Sequence, residues 1–444
     1  MDPAPSPLPA PDGPPGPPGS TAPTEAARTP RSPLPPGPFD VVVIGGGAAG
    51  LWAAGTAAAR GRRVLLLEKN RRVGVKIHAS GGGHCNLTTT LPVPAVIDAF
   101  GREGGRFLAG SLRRLPPLEL RRRFEELGVP TEEAELEKVW PVSRRAGDVV
   151  DALVRRAAQA GARTATEAPC VGVEREGDGF RVRTPRGDVL VPRVLVTVGG
   201  RSYPKTGTTG DGYPWLEALG HTITRCVPAL APLVLELPWL RALAGIAEQD
   251  ARVSVVESGR TIAERRRPIL CTHTGLSGPG PMDVSRWFEL GDPAHPPLLR
   301  VDWLPDLAED RVRASLDAAL AARGGERLAR CVPGELPARL VEALCLAVGV
   351  DPGVRASGTP KAARHAVVLA LKRLELPVAG TRGFDFAEVT AGGVALPEVD
   401  PSTMASRLVP GLFVAGEILD VDGPIGGFNF QSAFSTGEAA GLSI

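Results

Sequence analysis

Four β-branched residues, Val41-Val42-Val43-Ile44, run directly into Gly45-Gly46-Gly47-Ala48-Ala49-Gly50, and this junction restricts the fold more than any other part of the chain. A short apolar strand followed at once by G-x-G-x-x-G reads as strand, tight turn and helix. Gly45 permits the turn, Gly47 leaves room for a pyrophosphate to approach the backbone, and Gly50 lets the helix lie close on the strand. The alanine-rich stretch at 48–60 continues as a helix whose positive N-terminal end faces phosphate. A second strand follows at 63–67, and Glu68 at its end is placed to accept hydrogen bonds from an adenosine ribose. The expected class is α/β, with a Rossmann-type dinucleotide-binding domain.

At 444 residues the chain exceeds one ordinary core, so two or three domains are expected. A net charge of +2, from 51 basic and 49 acidic residues, gives no global attraction to nucleic acid or an anionic membrane. The runs Arg121-Arg122-Arg123 and Arg265-Arg266-Arg267 read as solvated faces. The six cysteines are scattered without C-x-x-C or zinc spacing, which suits reduced thiols of a cytoplasmic protein and predicts no metal site. No apolar run is long enough for a membrane span. Residues 1–38 hold 15 of the 45 prolines and read as a disordered, partly polyproline-like tail. A proline-reading partner is the functional alternative for it.

Helical patterns at 113–127 and 147–161 precede three short strands at 170–174, 180–184 and 189–191, separated by glycine turns. Val194-Leu195-Val196-Thr197-Val198 then ends in Gly199-Gly200, which suits the carboxyl edge of an open sheet where ligands bind and makes Gly199 a cofactor candidate. Past residue 202 the character changes. Strand-like runs at 233–235, 251–257, 268–272 and 298–303 give way to helical patterns at 306–322, 336–347 and 360–374. The expected organisation is a tail (1–38), a first segment of a two-segment Rossmann-type dinucleotide-binding domain (39–202), and an inserted β-barrel-like part (203–304). An inserted helical part (305–376) and a return segment (377–444) complete it.

That return segment argues for flavin over nicotinamide as the resident cofactor. Leu412-Phe413-Val414-Ala415-Gly416-Glu417 repeats the pattern of a strand ending in an acid, and a last helix opens at Gly426-Gly427-Phe428. A flavin ring reaches across a sheet edge to a second helix N-terminus, where N–H groups of Gly426, Gly427 and Phe428 would face its N1 and C2 carbonyl. Glu417 stands where a side chain would grip the ribityl hydroxyls.

The run Gly74-Val75-Lys76-Ile77-His78-Ala79-Ser80-Gly81-Gly82-Gly83-His84-Cys85-Asn86-Leu87-Thr88 closely resembles the G-x-K-x-x-x-S-G-G-G-R-C-N-x-T signature of a bacterial NAD(P)/FAD-dependent oxidoreductase family. That family includes aminoacetone-oxidase-like FAD enzymes and 3-dehydro-bile-acid reductases. Thr390-Ala391-Gly392-Gly393-Val394, the carboxyl block at 409–431, and Arg201-Ser202-Tyr203-Pro204 with Gly210-Asp211-Gly212-Tyr213 resemble it too, so the likeness covers about residues 40–442. His84 departs from it, standing where arginine is usual.

The resemblance implies FAD held at its adenosine end by Gly45, Gly47, Gly50, Glu68 and Lys69. Lys76, Ser80, Gly81, Gly82 and Asn86 would lie by the ring or the pyrophosphate, and Val171 would offer backbone hydrogen bonds to adenine. Gly416, Glu417, Gly427, Phe428 and Asn429 would close the far end. Asp420 and Asp422 read either as general acids or as caps of the turn into the last helix. The implied activity is hydride transfer from NAD(P)H, a transient reductant, through flavin N5 to a small organic acceptor. An amine oxidase using oxygen and a low-turnover redox-sensing protein are the alternatives.

Overall fold

The structure, a computed structural model, describes residues 33–444, so most of the proline-rich tail lies outside the described residues. Leu34 packs against the core and the Pro36 carbonyl accepts a hydrogen bond from Arg163 Nη1 at 2.8 Å. The compact unit therefore begins at Leu34, ahead of the expected boundary after residue 38.

Five short parallel strands form the central sheet: β1 (Val41–Ile44), β2 (Val64–Leu67), β3 (Arg163–Ala165), β4 (Val194–Val196) and β5 (Leu412–Val414). Their order is β5-β4-β1-β2-β3. Parallel strands covered on both faces read as continuous apolar runs, and every residue of β1, β2, β4 and β5 is buried. The register sets Ile44 beside both Leu67 and Val196, and Val196 beside Val414, so the strands end level at one carboxyl edge. The last strand of this sheet comes from the carboxyl segment of the chain, so the sheet is complete only when both segments meet.

Three helices cover it: α1 (Ala48–Ala59), α2 (Ala146–Gln159) and α3 (Phe428–Ser443). Small side chains let α1 and α3 approach backbone to backbone. A Cβ on Gly437 would stand 2.6 Å from the Ala49 carbonyl oxygen, and one on Gly441 would stand 2.7 Å from that of Ala53. Beside this contact the buried Glu438 carboxylate accepts hydrogen bonds from Trp52 Nε1 (2.9 Å), Thr56 Oγ1 (2.7 Å) and Arg123 Nη1 (2.8 Å). Burial pushes its pKa up, but these donors outweigh that and hold it below the ordinary value.

A ribbon pairing Val227–Ala229 with Val389–Ala391 marks where the chain leaves for the insertion and returns. Beyond it lie a five-stranded and a four-stranded antiparallel sheet with their own hydrophobic core. Helices Glu309–Ala322, Ala338–Ala347 and Lys361–Arg373 contribute Leu316, Leu344 and Leu371 to that core, which also holds Val253 and Val301 of the four-stranded sheet. Lys361–Arg373 runs straight into the strand Leu374–Pro377, which pairs with Leu298–Asp302. The expected division at 304/305 thus falls inside one core, because amphipathic helices need the sheet to bury their apolar faces.

The helical pattern expected at 113–127 proves to be the end of one helix, Gly101–Arg114, and a second, Pro117–Glu126. Pro116 separates them, since proline disfavours helical geometry in the residue before it.

Gly50 tests the sheet-to-helix contact. A Cβ there would lie 1.9 Å from the Gly45 carbonyl oxygen and 2.6 Å from Thr197 Oγ1. Gly50→Ala should lower the unfolding free energy by about 1–3 kcal/mol, the usual cost of overpacking. Denaturant titration measures it, and an unchanged midpoint would show that α1 can move away from the turn.

Candidate functional site

A cavity of about 360 Å³ runs along the carboxyl edge of the sheet, within the range of cofactor and ligand pockets. One end is formed by the turn after β1. Gly45 has φ +103°, a conformation that favours glycine. Gly47 stands differently: its φ of −83° suits any residue, yet a Cβ on it would meet nothing within 4 Å. The space it leaves open belongs to the cavity. No side chain caps α1, so the amides of its first turn are free for an anion.

Glu68 lines the same end and is buried. Its Oε2 accepts from the Gly46 N–H at 2.9 Å and its Oε1 from the Asn70 N–H at 2.8 Å. The carboxylate therefore braces the glycine turn, a role the sequence did not reveal, and keeps lone pairs for a further donor. Lys69 Nζ donates to Asp211 Oδ2 (2.5 Å) and Thr209 Oγ1 (2.7 Å) along the wall.

The middle is built by the short helix Val75–Ala79 and the glycine run after it. Gly81 and Gly82 have φ of +54° and +67°, and a Cβ on Gly81 would lie 2.7 Å from the Trp140 ring. The S-G-G-G motif is thus a left-handed turn folded against an aromatic wall. Ser80 Oγ donates to the Ile77 carbonyl, and Asn86 Oδ1 accepts from the Val139 N–H at 3.1 Å. Lys76 Nζ donates to Glu417 Oε2 at 2.6 Å and Ser202 Oγ at 2.7 Å. Glu417 Oε1 accepts from Ser202 Oγ (2.8 Å) and the Thr390 N–H (3.1 Å). Lys76 is therefore paired with a cavity acid and not with a surface one.

At the other end lies the loop before α3, whose N-terminus is likewise uncapped by any side chain. Asn429 pins this loop from within, accepting from the Gly423 N–H (2.8 Å) and donating to the Gly423 carbonyl (2.9 Å). The insertion pins it from outside, where Asp283 Oδ1 accepts from the Ile425 N–H at 2.7 Å. Burial pushes the Asp283 carboxyl up to about 6, against the pull of the Ile425 N–H, Arg267 and Arg265, and the charge of Glu388 adds to the rise.

Of the expected residues, Gly45, Gly47, Glu68, Lys69, Lys76, Ser80, Gly81, Gly82 and Asn86 line the cavity. So do Gly199, Gly416, Glu417, Gly426, Gly427 and Asn429. Five others do not. Gly50 packs on the turn behind it. The Phe428 ring is buried against Phe100, with centroids 6.2 Å apart. The Val171 N–H donates to the Arg183 carbonyl and its side chain is exposed, while Ala168 and Cys170 form the wall there.

Asp420 and Asp422 also lie outside the cavity, and neither caps α3. Asp422 Oδ1 accepts from Arg286 Nη1 at 2.6 Å in a separate small space behind the loop, which suits a fastening role better than proton delivery. His84 is exposed, facing the Arg144 carbonyl at 2.6 Å, so the departure from the family signature falls off the cavity wall. Cys85 is buried and burial pushes its thiol up to about 12, a structural thiol. Among the described residues no cluster of ligating side chains suits a metal ion, and no helix is long and apolar enough to cross a membrane.

Lys138, Trp140, Tyr203, Leu230, Glu388, Val389 and Ile425 line the cavity without having been anticipated. Tyr203 carries one signal that only the backbone shows: φ +52°, rare for a bulky residue and frequent at functional sites. A further arrangement is deceptive. Ser406 Oγ, His221 and Glu398 are connected as in a hydrolytic triad, at 2.8 and 3.0 Å. Ser406 Oγ also accepts from the Leu408 and Val409 N–H groups and lines neither cavity, so it locks a turn.

Residues 39–443 match the HI0933-like protein Rossmann domain. The chain belongs to that family. It is a flavin-dependent oxidoreductase with an FAD-binding Rossmann domain. It is 30% identical over 409 residues to a ribosomal RNA dihydrouridine synthase of Escherichia coli (strain K12), covering 91% of this chain and 98% of that protein. It is 32% identical over 406 residues to a 3-dehydro-bile acid delta(4,6)-reductase of Clostridium scindens, covering 90% and 97%. A 3-ketosteroid-delta4-(5alpha)-dehydrogenase from Rhodococcus jostii RHA1 aligns over 91% of this chain and 96% of its own, at 16% identity and a TM-score of 0.49. The residues present fit FAD: two uncapped helix N-termini open on one cavity, and the space beside Gly47 is one that a side chain would fill.

Gly47→Val should abolish FAD retention while leaving the unfolding midpoint of the apoprotein unchanged, because the new side chain enters only the cavity. Flavin absorbance after gel filtration, with a melt of the apoprotein, checks both. Asp283 gives a pH prediction. A carboxyl whose folded pKa is raised favours the folded state while protonated, and that advantage is lost as pH rises from the unfolded value through the folded one. The stability difference, wild type minus Asp283→Asn, should fall by roughly 3 kcal/mol between about pH 4 and about pH 6 and stay level above. Denaturant titrations across that window measure it.

Proposed function

We propose that this flavoenzyme takes hydride from NAD(P)H and uses it to saturate a carbon–carbon double bond conjugated to a carbonyl in a small organic acceptor. The observation that carries the reading is the shape of the cavity. It joins both helix N-termini in one space, and residues at the base of the insertion, Leu230, Glu388 and Val389, line it as well. The names of the two full-length relatives support the same chemistry. A 3-dehydro bile acid with double bonds at positions 4 and 6 is a conjugated enone, and the double bond lost when uridine becomes dihydrouridine is conjugated to a ring carbonyl.

In this reading the amides of Gly47 and the first turn of α1 would hold the pyrophosphate and Glu68 the ribose. Lys76, Glu417 and the N-terminus of α3 would hold the ring end. FAD, when bound, supplies a hydride acceptor and donor at N5 and so couples nicotinamide to organic substrate. Glu417 orients Lys76 through their ion pair, and Ser202 and Thr390 orient Glu417. Asn429 and Asp283 keep the loop before α3 in place from its two sides. Six free cysteines suit a reducing, cytoplasmic setting.

A second reading, with a uracil of RNA as acceptor, draws on one feature beyond the ribosomal RNA relative. The segment following the insertion stacks Arg201 on Phe384 and Arg382 on Phe386, with centroid distances of 4.6 and 3.4 Å, and the Tyr203 N–H donates to the Phe384 carbonyl at the cavity wall. Arginine and aromatic faces together suit single-stranded nucleic acid.

Anaerobic mixing of holoenzyme with NADPH should bleach the flavin, and cyclohexenone should restore it with loss of the enone absorbance. Restoration by a uridine-containing oligoribonucleotide but not by cyclohexenone would favour the second reading. Bleaching by an amine but not by NADPH would sink both.

A further inference from the structure

We infer that Glu388 is the proton donor of this site, delivering a proton to the α-carbon of the acceptor as hydride reaches the β-carbon; the inference rests on the enone-reductase reading above.

Among the described residues four carboxylates line the cavity: Glu68, Asp211, Glu388 and Glu417. Three are committed. Glu68 braces the glycine turn, Asp211 pairs with Lys69, and Glu417 is held by Lys76, Ser202 and Thr390. The Glu388 carboxylate has no hydrogen-bond or ion-pair partner among the described residues, although its backbone is fixed. Its N–H donates to the Leu230 carbonyl at 3.2 Å, and its own carbonyl lies 3.3 Å from Ser202 Oγ, the hydroxyl that donates to Glu417. A free acid on a rigid support, lining a cavity, is what proton transfer to a bound molecule requires.

Its place in the cavity is the ring end. Two residues on, the Thr390 N–H donates to Glu417, the partner of Lys76. The charge of Glu388 is felt at Asp283, which holds the loop before α3, and at Tyr203. It sits beside the ribbon through which the insertion joins the sheet domain.

Glu388 is exposed by surface, more than a third accessible where it lines the cavity, yet much of the protein's mass stands around it. Burial raises its pKa, while Lys76 and Lys138 pull it down without cancelling the rise. The proton is therefore held nearer neutrality than on an ordinary glutamate. The other candidates are less suited. Lys76 is bound to Glu417. Burial, together with the Glu388 charge, raises the Tyr203 phenol, so it keeps its proton and suits a hydrogen bond to the acceptor carbonyl. In the step itself the carbon–carbon π bond breaks: hydride, supplied by NAD(P)H through FAD, forms the β C–H bond with its own electron pair, and the freed π pair takes the proton of the breaking carboxyl O–H bond to form the α C–H bond. The carboxylate regains its proton from water.

The test uses FAD-loaded wild type and Glu388→Gln, reduced with dithionite so that NAD(P)H binding plays no part. The variant should keep its FAD and reoxidise with ferricyanide, which needs no proton on carbon, at the wild-type rate. With cyclohexenone it should be slower by about 10²–10⁴-fold, the range for a positioned general acid. In the wild type that enone rate should fall as pH rises through the Glu388 midpoint, and in the variant it should be flat. The neighbouring charges, Lys76, Lys138, Tyr203 and Asp283, are common to both. As a readout independent of turnover, carbon-13 NMR of glutamate-labelled protein should show one carboxyl, absent from Glu388→Gln, titrating above the ordinary value of about 4.3. Equal enone rates, or an ordinary titration, would overturn the assignment. If reduced wild type passes electrons to ferricyanide but to neither cyclohexenone nor a uridine oligoribonucleotide, the enone reading fails and the role of Glu388 fails with it, even where the carboxyl titrates high.

Discussion

Everything at this site depends on the close approach of α1 and α3. Those helices come from opposite ends of the described chain, and glycine and alanine at their contact let one backbone rest on the other. The contact brings two helix N-termini to the same edge of one sheet. Each N-terminus carries a partial positive charge and unsatisfied amides, and neither has a side-chain cap. A dinucleotide with an anionic middle and an electron-accepting ring answers both at once. The buried Glu438, which draws Trp52, Thr56 and Arg123 together, adds direction to a contact that packing alone would leave free to slide.

The base of the insertion then adds to the wall of the cavity. Its chain leaves and returns through a single antiparallel ribbon, and that ribbon carries Leu230 and Glu388 to the cavity wall. A few bonds tie it to the cofactor domain: Asp283 to the Ile425 amide, Arg286 to Asp422, and Arg267 to Glu137. Because two of these fall on or beside the loop before α3, a small movement of the insertion would be felt at the α3 end of the cavity.

Much of the site was legible because some residues have few physical alternatives. Gly45 needs a positive φ, Gly47 needs an empty Cβ position, and Glu68 ends a strand at the edge where ligands collect. Lys76 and Glu417 were each picked out, but nothing in the linear order says that they pair across the cavity. Asp420 and Asp422 show the opposite case. Two acids near a glycine loop suit proton transfer on paper, yet backbone direction turns Asp422 away toward Arg286. Glu388 gave no signal at all, since a lone glutamate before a strand is ordinary until its surroundings are known.

The sequence by itself determined the α/β class, the dinucleotide turn, the return segment and the membership of a flavoprotein family, because those rest on local rules: strand runs buried on both faces, glycines at special backbone angles, and spacing between motifs. Tertiary structure alone decided which acids are free and which are committed, how the S-G-G-G turn folds on Trp140, and that the helical part of the insertion shares one core with its sheets. Hydrogen-bond partners and burial are set by residues hundreds of positions apart, and no local rule reaches that far.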